Sequence, residues 1–200
     1  MKLFKLLRTL PVLGTILLIT NSYVYNGDAN SSEKLAPLKL WLKKFFSKTL
    51  FVSLMTALVY IKEIADYYSL KSLSQFIGEH NTGTPGAIIT SSFPSLIGFG
   101  IGVYALIFAL DKSVIKHFQD AYSNNKKKKY GSVLILSSDL AYPLIVLIIT
   151  LGIGIFQVIF LNSSLLCLIT WFSMWYSFVM IIEMLGVLFG LTNNSLLDKL

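Results

Sequence analysis

The stretch Leu165–Leu191, LLCLITWFSMWYSFVMIIEMLGVLFGL, decides the fold: 27 residues carry a single charge, at Glu183. An α-helix crosses the hydrocarbon core of a bilayer with about 20 mostly apolar residues. Just before it, Leu140–Leu161 carries no charge, and only Asn162-Ser163-Ser164 separates the two runs. That is a hairpin turn, so the two segments are expected to be antiparallel neighbours. The first of them is expected to start near Gly131 or Ser132, which brings Asp139 into its first turns.

Composition agrees with these runs. Of the 200 residues 54% are hydrophobic and 14% charged, against about 25% charged in soluble chains. Mean hydropathy is +0.69. This composition excludes disorder and a coiled coil, and with Cys167 the one cysteine no disulfide scaffold is possible. The net charge of +7 comes from sixteen lysines and Arg8, grouped beside apolar runs. Cations so placed hold loops on the cytoplasmic side. Nucleic-acid binding is rejected, because it uses a basic surface and favours Arg for bidentate contacts.

Two more spans are expected. Phe93–Leu110 is uncharged, with Pro94 at its start, where proline is tolerated. Thr49–Ile61 is the weakest; extending it to Phe45 includes Lys48, whose long side chain can snorkel. Helical pattern continues from about Pro37 to Leu70. The fold class is therefore all-α: a polytopic membrane protein with spans at about 45–61, 93–110, 140–161 and 165–191. An interfacial N-terminal segment, 1–44, precedes them and a tail, 192–200, follows.

Charge counting chooses the topology. With four spans and the N-terminal segment inside, 15 of 17 cations are cytoplasmic. If Leu10–Thr20 also spans, five are inside and twelve outside; laying segment 45–61 on the surface gives ten and seven. The positive-inside rule favours the first scheme, with both termini cytoplasmic. A cleaved signal peptide is the further alternative, with Gly27-Asp28-Ala29 as its small-residue site.

Functional expectations rest on a few residues. Glu183 and Asp139 lie 20 and 24 residues from Ser163, and Tyr142 lies 21 away. At 1.5 Å per residue the two acids differ by roughly 6 Å in depth. A carboxylate at such depth costs several kcal/mol unless paired, protonated or wet, and neither 140–161 nor 165–191 holds a Lys or Arg. The three residues form either an ion or proton path or a polar joint in which Glu183 bonds Tyr142 or Ser138. Pro143 is expected to kink the helix or free a carbonyl near Asp139.

Small residues form stripes. Ser95, Gly98, Gly102, Ala105 and Ala109 recur at threes and fours, and Gly186 and Gly190 share a face with Glu183. Such faces let helices approach closely, within one chain or between copies, so a homo-oligomer is expected. Lys43 and Lys44, beside Trp41 and Phe45, and the run Lys126, Lys127, Lys128 and Lys129 are candidates for lipid or cytoplasmic-partner contact. Orientation signal and interface anchor is the plainer reading of both.

The stretch Phe93–Ala105, with Pro94, Gly98, Gly100 and Gly102, followed by Asp111 and a basic loop, resembles small polytopic bacterial inner-membrane proteins. Some proteins of that build are membrane components of phage-defence systems. The resemblance implies a bacterial inner membrane and a defence or stress effector. It covers this one stretch and carries over no functional residue.

No cofactor, metal site or catalytic set is expected. His80 and His117 fall on opposite sides of the membrane in this topology, and Cys167 has no second thiol. The expectation is a non-enzymatic protein that self-associates and either perturbs ion permeability or anchors a cytoplasmic partner. A small proton-coupled transporter using Glu183 is the alternative, and an intramembrane enzyme a lesser one.

Overall fold

A computed structural model describes residues 4, 7–69, 83–109 and 132–197. The described residues form helices and turns, with no strand among them. The helices are α1 (Leu13–Val24), α2 (Leu38–Val59), α3 (Ile61–Tyr67), α4 (Pro85–Ala109), α5 (Ser132–Ile159) and α6 (Ser164–Leu197). Three contain stretches long and apolar enough to cross a membrane: Pro85–Ala105, Ile135–Ile159 and Ser164–Asn193. A fourth candidate is the pair α2 and α3, bent by 71° at Tyr60. This is a multi-pass membrane architecture.

The contacts fix directions. Gly86 packs against Gly154 and Gln157, and Gly100 against Leu144 and Met184, so α4 runs antiparallel to α5. Helix α6 returns from α5 through the short turn at 160–163. Lys48 meets Glu183 near one end, while Tyr60 and Leu168 line one groove at the other, so α2 is antiparallel to α6. One end of the bundle therefore carries the turn at 160–163 and the elbow at Tyr60. The other end carries residues 37, 109, 132 and 197.

Side-chain period explains the packing. On α2, Leu38, Leu42, Phe46, Leu50, Leu54 and Leu58 recur every fourth residue, and all are exposed. They form the apolar face a bilayer would cover. The opposite row, again four apart, is Lys44, Lys48, Val52 and Thr56; the last two are buried and the lysines half-buried. On α5, Val146, Thr150, Gly154 and Gln157 are buried on one face. On α6 the inward row is Thr170, Met174, Ser177, Met180 and Met184. Polar members of these rows are bonded. Ser177 Oγ donates to Thr150 Oγ1 at 2.8 Å, and the Gly86 N–H donates to Gln157 Oε1 at 2.9 Å. In an apolar medium an unmade bond would leave a costly bare group.

Three boundaries differ from expectation. Helix α4 begins at Pro85, eight residues before Phe93. Pro85 takes the first helical position, where its missing N–H costs nothing, and Pro94 lies inside the helix. The expected helix at 37–70 breaks at Tyr60. Segment 1–44 is more than an interfacial stretch, because it folds back on itself. Helix α1 is too short, at 12 residues, to cross alone. It ends where Asn26 and Gly27 adopt positive φ of 50° and 71°, the left-handed C-cap that a small or Asx residue tolerates. Arg8 donates to the Ser32 carbonyl at 2.6 Å. The fully buried Asn21 donates to the Ser31 and Lys34 carbonyls and accepts from the Ala36 N–H. This folded cap packs on α5 through Tyr23 and Ile19.

Close approach uses other glycines than the stripe. A Cβ on Gly154 would fall 2.6 Å from Ile89 Cγ2, and one on Gly86 2.6 Å from the Gly154 carbonyl oxygen. At Gly98, Gly102, Gly186 and Gly190 it would meet nothing within 4 Å. Gly154→Ala is thus expected to destabilise by about 1–3 kcal/mol through overpacking, whereas Gly98→Ala leaves the melting temperature of the monomer unchanged or raised. Thermal unfolding in detergent checks the pair; equal melting temperatures for the two variants would refute the assignment.

Candidate functional site: a charged joint between cap and bundle

Four elements converge on one cluster. Tyr23 at the end of α1 donates its hydroxyl to Glu183 Oε2 of α6 at 2.5 Å. Lys48 of α2 donates to both that carboxylate oxygen and the Tyr23 hydroxyl. One turn earlier, Lys44 Nζ lies 3.8 Å from Asp139 Oδ1 of α5 and donates to Asn26 Oδ1 at 3.0 Å. Two cations face two carboxylates, so the cluster is balanced.

The Tyr23 ring organises these charges. It stacks on Tyr142 at 4.1 Å between centroids, 14° from parallel. Both ammonium groups lie over it, Lys44 at 4.0 Å and Lys48 at 4.8 Å from the centroid. The negative face of an aromatic ring attracts cations most where water is scarce. The Tyr142 hydroxyl shares a 3.0 Å bond with that of Tyr176. Phe45, Val146 and Met180 seal the cluster on its apolar side.

Depth matters to the energy. Glu183 lies 20 residues beyond Ser163, about 30 Å at helical rise. The hydrocarbon core is about 30 Å thick. With Ser163 at one boundary of that layer the joint would lie near the other, and its four charged side chains keep 18–28% of their surface accessible. Pairing and partial hydration together remove most of the cost that a lone carboxylate would bear at the bilayer centre.

Sequence-predicted residues meet mixed fates. Glu183, Asp139 and Tyr142 do converge, but the partner of Glu183 is neither Tyr142 nor Ser138. Ser138 donates instead to the Ile135 carbonyl. Lys48 does not snorkel outward; it turns inward on the row of Val52 and Thr56. Lys44, expected at a lipid or partner surface, is drawn into the joint by Asp139 and Asn26. Lys43 is exposed. Gly98, Gly102, Ala105, Gly186 and Gly190 are exposed as well, so the monomer does not use them for packing. Ala109 ends α4, and its side chain lies outside the described ones. Lys126, Lys127, Lys128 and Lys129, with His80 and His117, lie outside the described residues.

Sequence reasoning missed Tyr23, Lys48 and Asn21 as site-forming residues. A signal for Lys48 existed: Lys44, Lys48, Val52 and Thr56 form one row opposite the Leu38–Leu58 row. No such signal existed for Tyr23, whose place depends on a turn outside any regular period.

Among the described residues no three of His, Cys, Asp and Glu come together as a metal group. Comparison with known protein families, curated proteins and solved structures finds no match to this chain.

Proposed function

We propose that this chain is a self-associating membrane anchor of the bacterial inner membrane, without catalytic activity, which holds a folded cap at the cytoplasmic face. Taking α2 and α3 as one span gives four spans. The lysine distribution then favours both termini inside. One observation carries the reading: Glu183, which a conduction path would need, is bound by Lys48 and Tyr23, Asp139 faces Lys44 at 3.8 Å, and together they join the cap to the bundle. A paired, balanced cluster resists moving an ion through it. This weighs against permeation through Glu183 and Asp139, and against a proton-coupled transporter built on Glu183. The exposed cap surface, with Lys34, Lys39 and Lys43, suits a cytoplasmic protein partner or the headgroup layer. The glycine faces left open on α4 and α6 support association between copies.

Two readouts test this. Leucine at both Gly98 and Gly102 is expected to abolish a crosslinked homo-oligomer while the melting temperature of the monomer holds. A voltage-sensitive dye is expected to show no depolarisation on expression of the wild type. An unchanged oligomer would remove the self-association claim. Depolarisation by the wild type, absent from an Asp139→Asn, Glu183→Gln double variant at equal abundance, would overturn the anchor in favour of a carboxylate-lined path.

A further inference from the structure

The 71° elbow at Tyr60 opens a groove far from the charged joint. It lies between the last turns of α2, helix α3 and the first turns of α6, with Ser53, Thr56, Tyr60, Glu63, Tyr67 and Phe172 among its walls. Its volume is about 570 Å³, its walls are almost wholly apolar, and it is open along one side. Small-ligand sites span about 300–1,000 Å³, but an enclosed ligand would not be held by an open side. An extended chain lying along the helices would be.

The mouth of the groove has a different chemistry. Glu63 and Tyr67 line it, and both are exposed, Tyr67 to 82%. Tyr68 stands edge-on to Tyr67, 5.2 Å between ring centroids. Tyrosines at the end of a span mark the level of lipid headgroups. A carboxylate beside exposed aromatic rings attracts an ammonium group. On α3, Lys62 stands against Glu63 and Asp66, a net charge of −1. The cap end is the reverse: Lys34, Lys39, Lys43, Lys44 and Lys48 gather there. An anionic headgroup is thus favoured at the cap end and disfavoured at the elbow.

We propose that this groove is a lipid site that takes one acyl chain of an ethanolamine phospholipid. The chain lies between α2 and α6, and the headgroup ammonium sits against Glu63 and the Tyr67 ring. The elbow makes the site, because a straight helix would carry Glu63 past the mouth. This inference is independent of the anchor reading and survives its failure.

The test is lipid retention by the full chain in mild detergent, read by native mass spectrometry. Ethanolamine and glycerol phospholipids with identical acyl chains are offered in competition. The wild type is expected to keep the ethanolamine lipid about fivefold over the glycerol lipid, the scale of one or two cation–π and charge contacts. Glu63→Gln, at an exposed position, should bring that ratio close to one while total retention persists. Ser53→Trp fills the groove and should lower retention of both lipids. Equal retention of the two lipids by the wild type overturns the headgroup assignment, as does an unchanged ratio in Glu63→Gln. Undiminished retention in a folded Ser53→Trp overturns the groove.

Discussion

Replacing Lys48 by methionine is expected to lower the melting temperature by about 6–12 °C, the equivalent of roughly 3 kcal/mol for a chain of this length. The loss comes less from the missing attraction than from what remains. Glu183 keeps its place at the edge of the apolar layer with only the Tyr23 hydroxyl as donor. Removing one member of a buried pair costs about 3–5 kcal/mol, and the partial exposure of this one trims the figure. Lys48→Met combined with Glu183→Leu should recover part of the loss, since both charges then go together but the Tyr23 hydroxyl loses its two partners. Lys43→Met is the control: the residue is exposed, and its change should stay within about 0.5 kcal/mol. Thermal unfolding of the four proteins in one detergent decides the matter. A Lys48→Met protein as stable as the Lys43→Met control would sink the joint as a structural element.

Asn21→Leu is expected to open the cap without unfolding the bundle. The side chain is fully buried and makes three bonds of 2.7–2.8 Å to residues 31, 34 and 36. Leucine is close in volume but leaves two carbonyls and one N–H without partners. Each bare buried group costs about 1–3 kcal/mol, and the sum exceeds what a cap of some 25 residues can bear. Local opening then replaces global unfolding. Protease cleavage between residues 25 and 37 should accelerate more than tenfold, given that about 1.4 kcal/mol is a factor of ten. Cleavage of α4 to α6 should not change. Asn21→Asp keeps the acceptor for Ala36 but, ionised, sets a fully buried carboxylate against the Ser31 and Lys34 carbonyl oxygens, and it should open the cap at least as far as leucine does. If Asn21→Leu resists protease as the wild type does, the clamp does not hold the cap.

Long uncharged runs were the legible part of the fold. Helices α5 and α6 and their antiparallel pairing followed from Leu140–Leu191. The level of Tyr142 beside Glu183 followed from counting along two helices from one turn. What the sequence did not disclose is rotational: which way α2 faces. The Leu38–Leu58 row and the opposite row from Lys44 to Thr56 both stand in the sequence, but it is the wholly apolar row that faces outward, the reverse of a helix in water. The start of α4 was misplaced because Pro94 was read as the first-turn proline, a position that Pro85 holds instead. The cap was hardest. Its stability rests on one buried asparagine and a left-handed turn, features with no period to detect.

The joint has a consequence for synthesis. Lys48 emerges from the ribosome 135 residues before its partner Glu183. At about 5–20 residues per second, the lysine waits roughly 7–27 s at the membrane with no carboxylate from α6 beside it. Tyr23 waits longer still. A chain that stops before α6 never acquires that counter-charge, and its cap has α5 but no α6 to rest on. Each incomplete molecule therefore carries an unpaired lysine in a span, a charge whose compensation arrives only with the last helix.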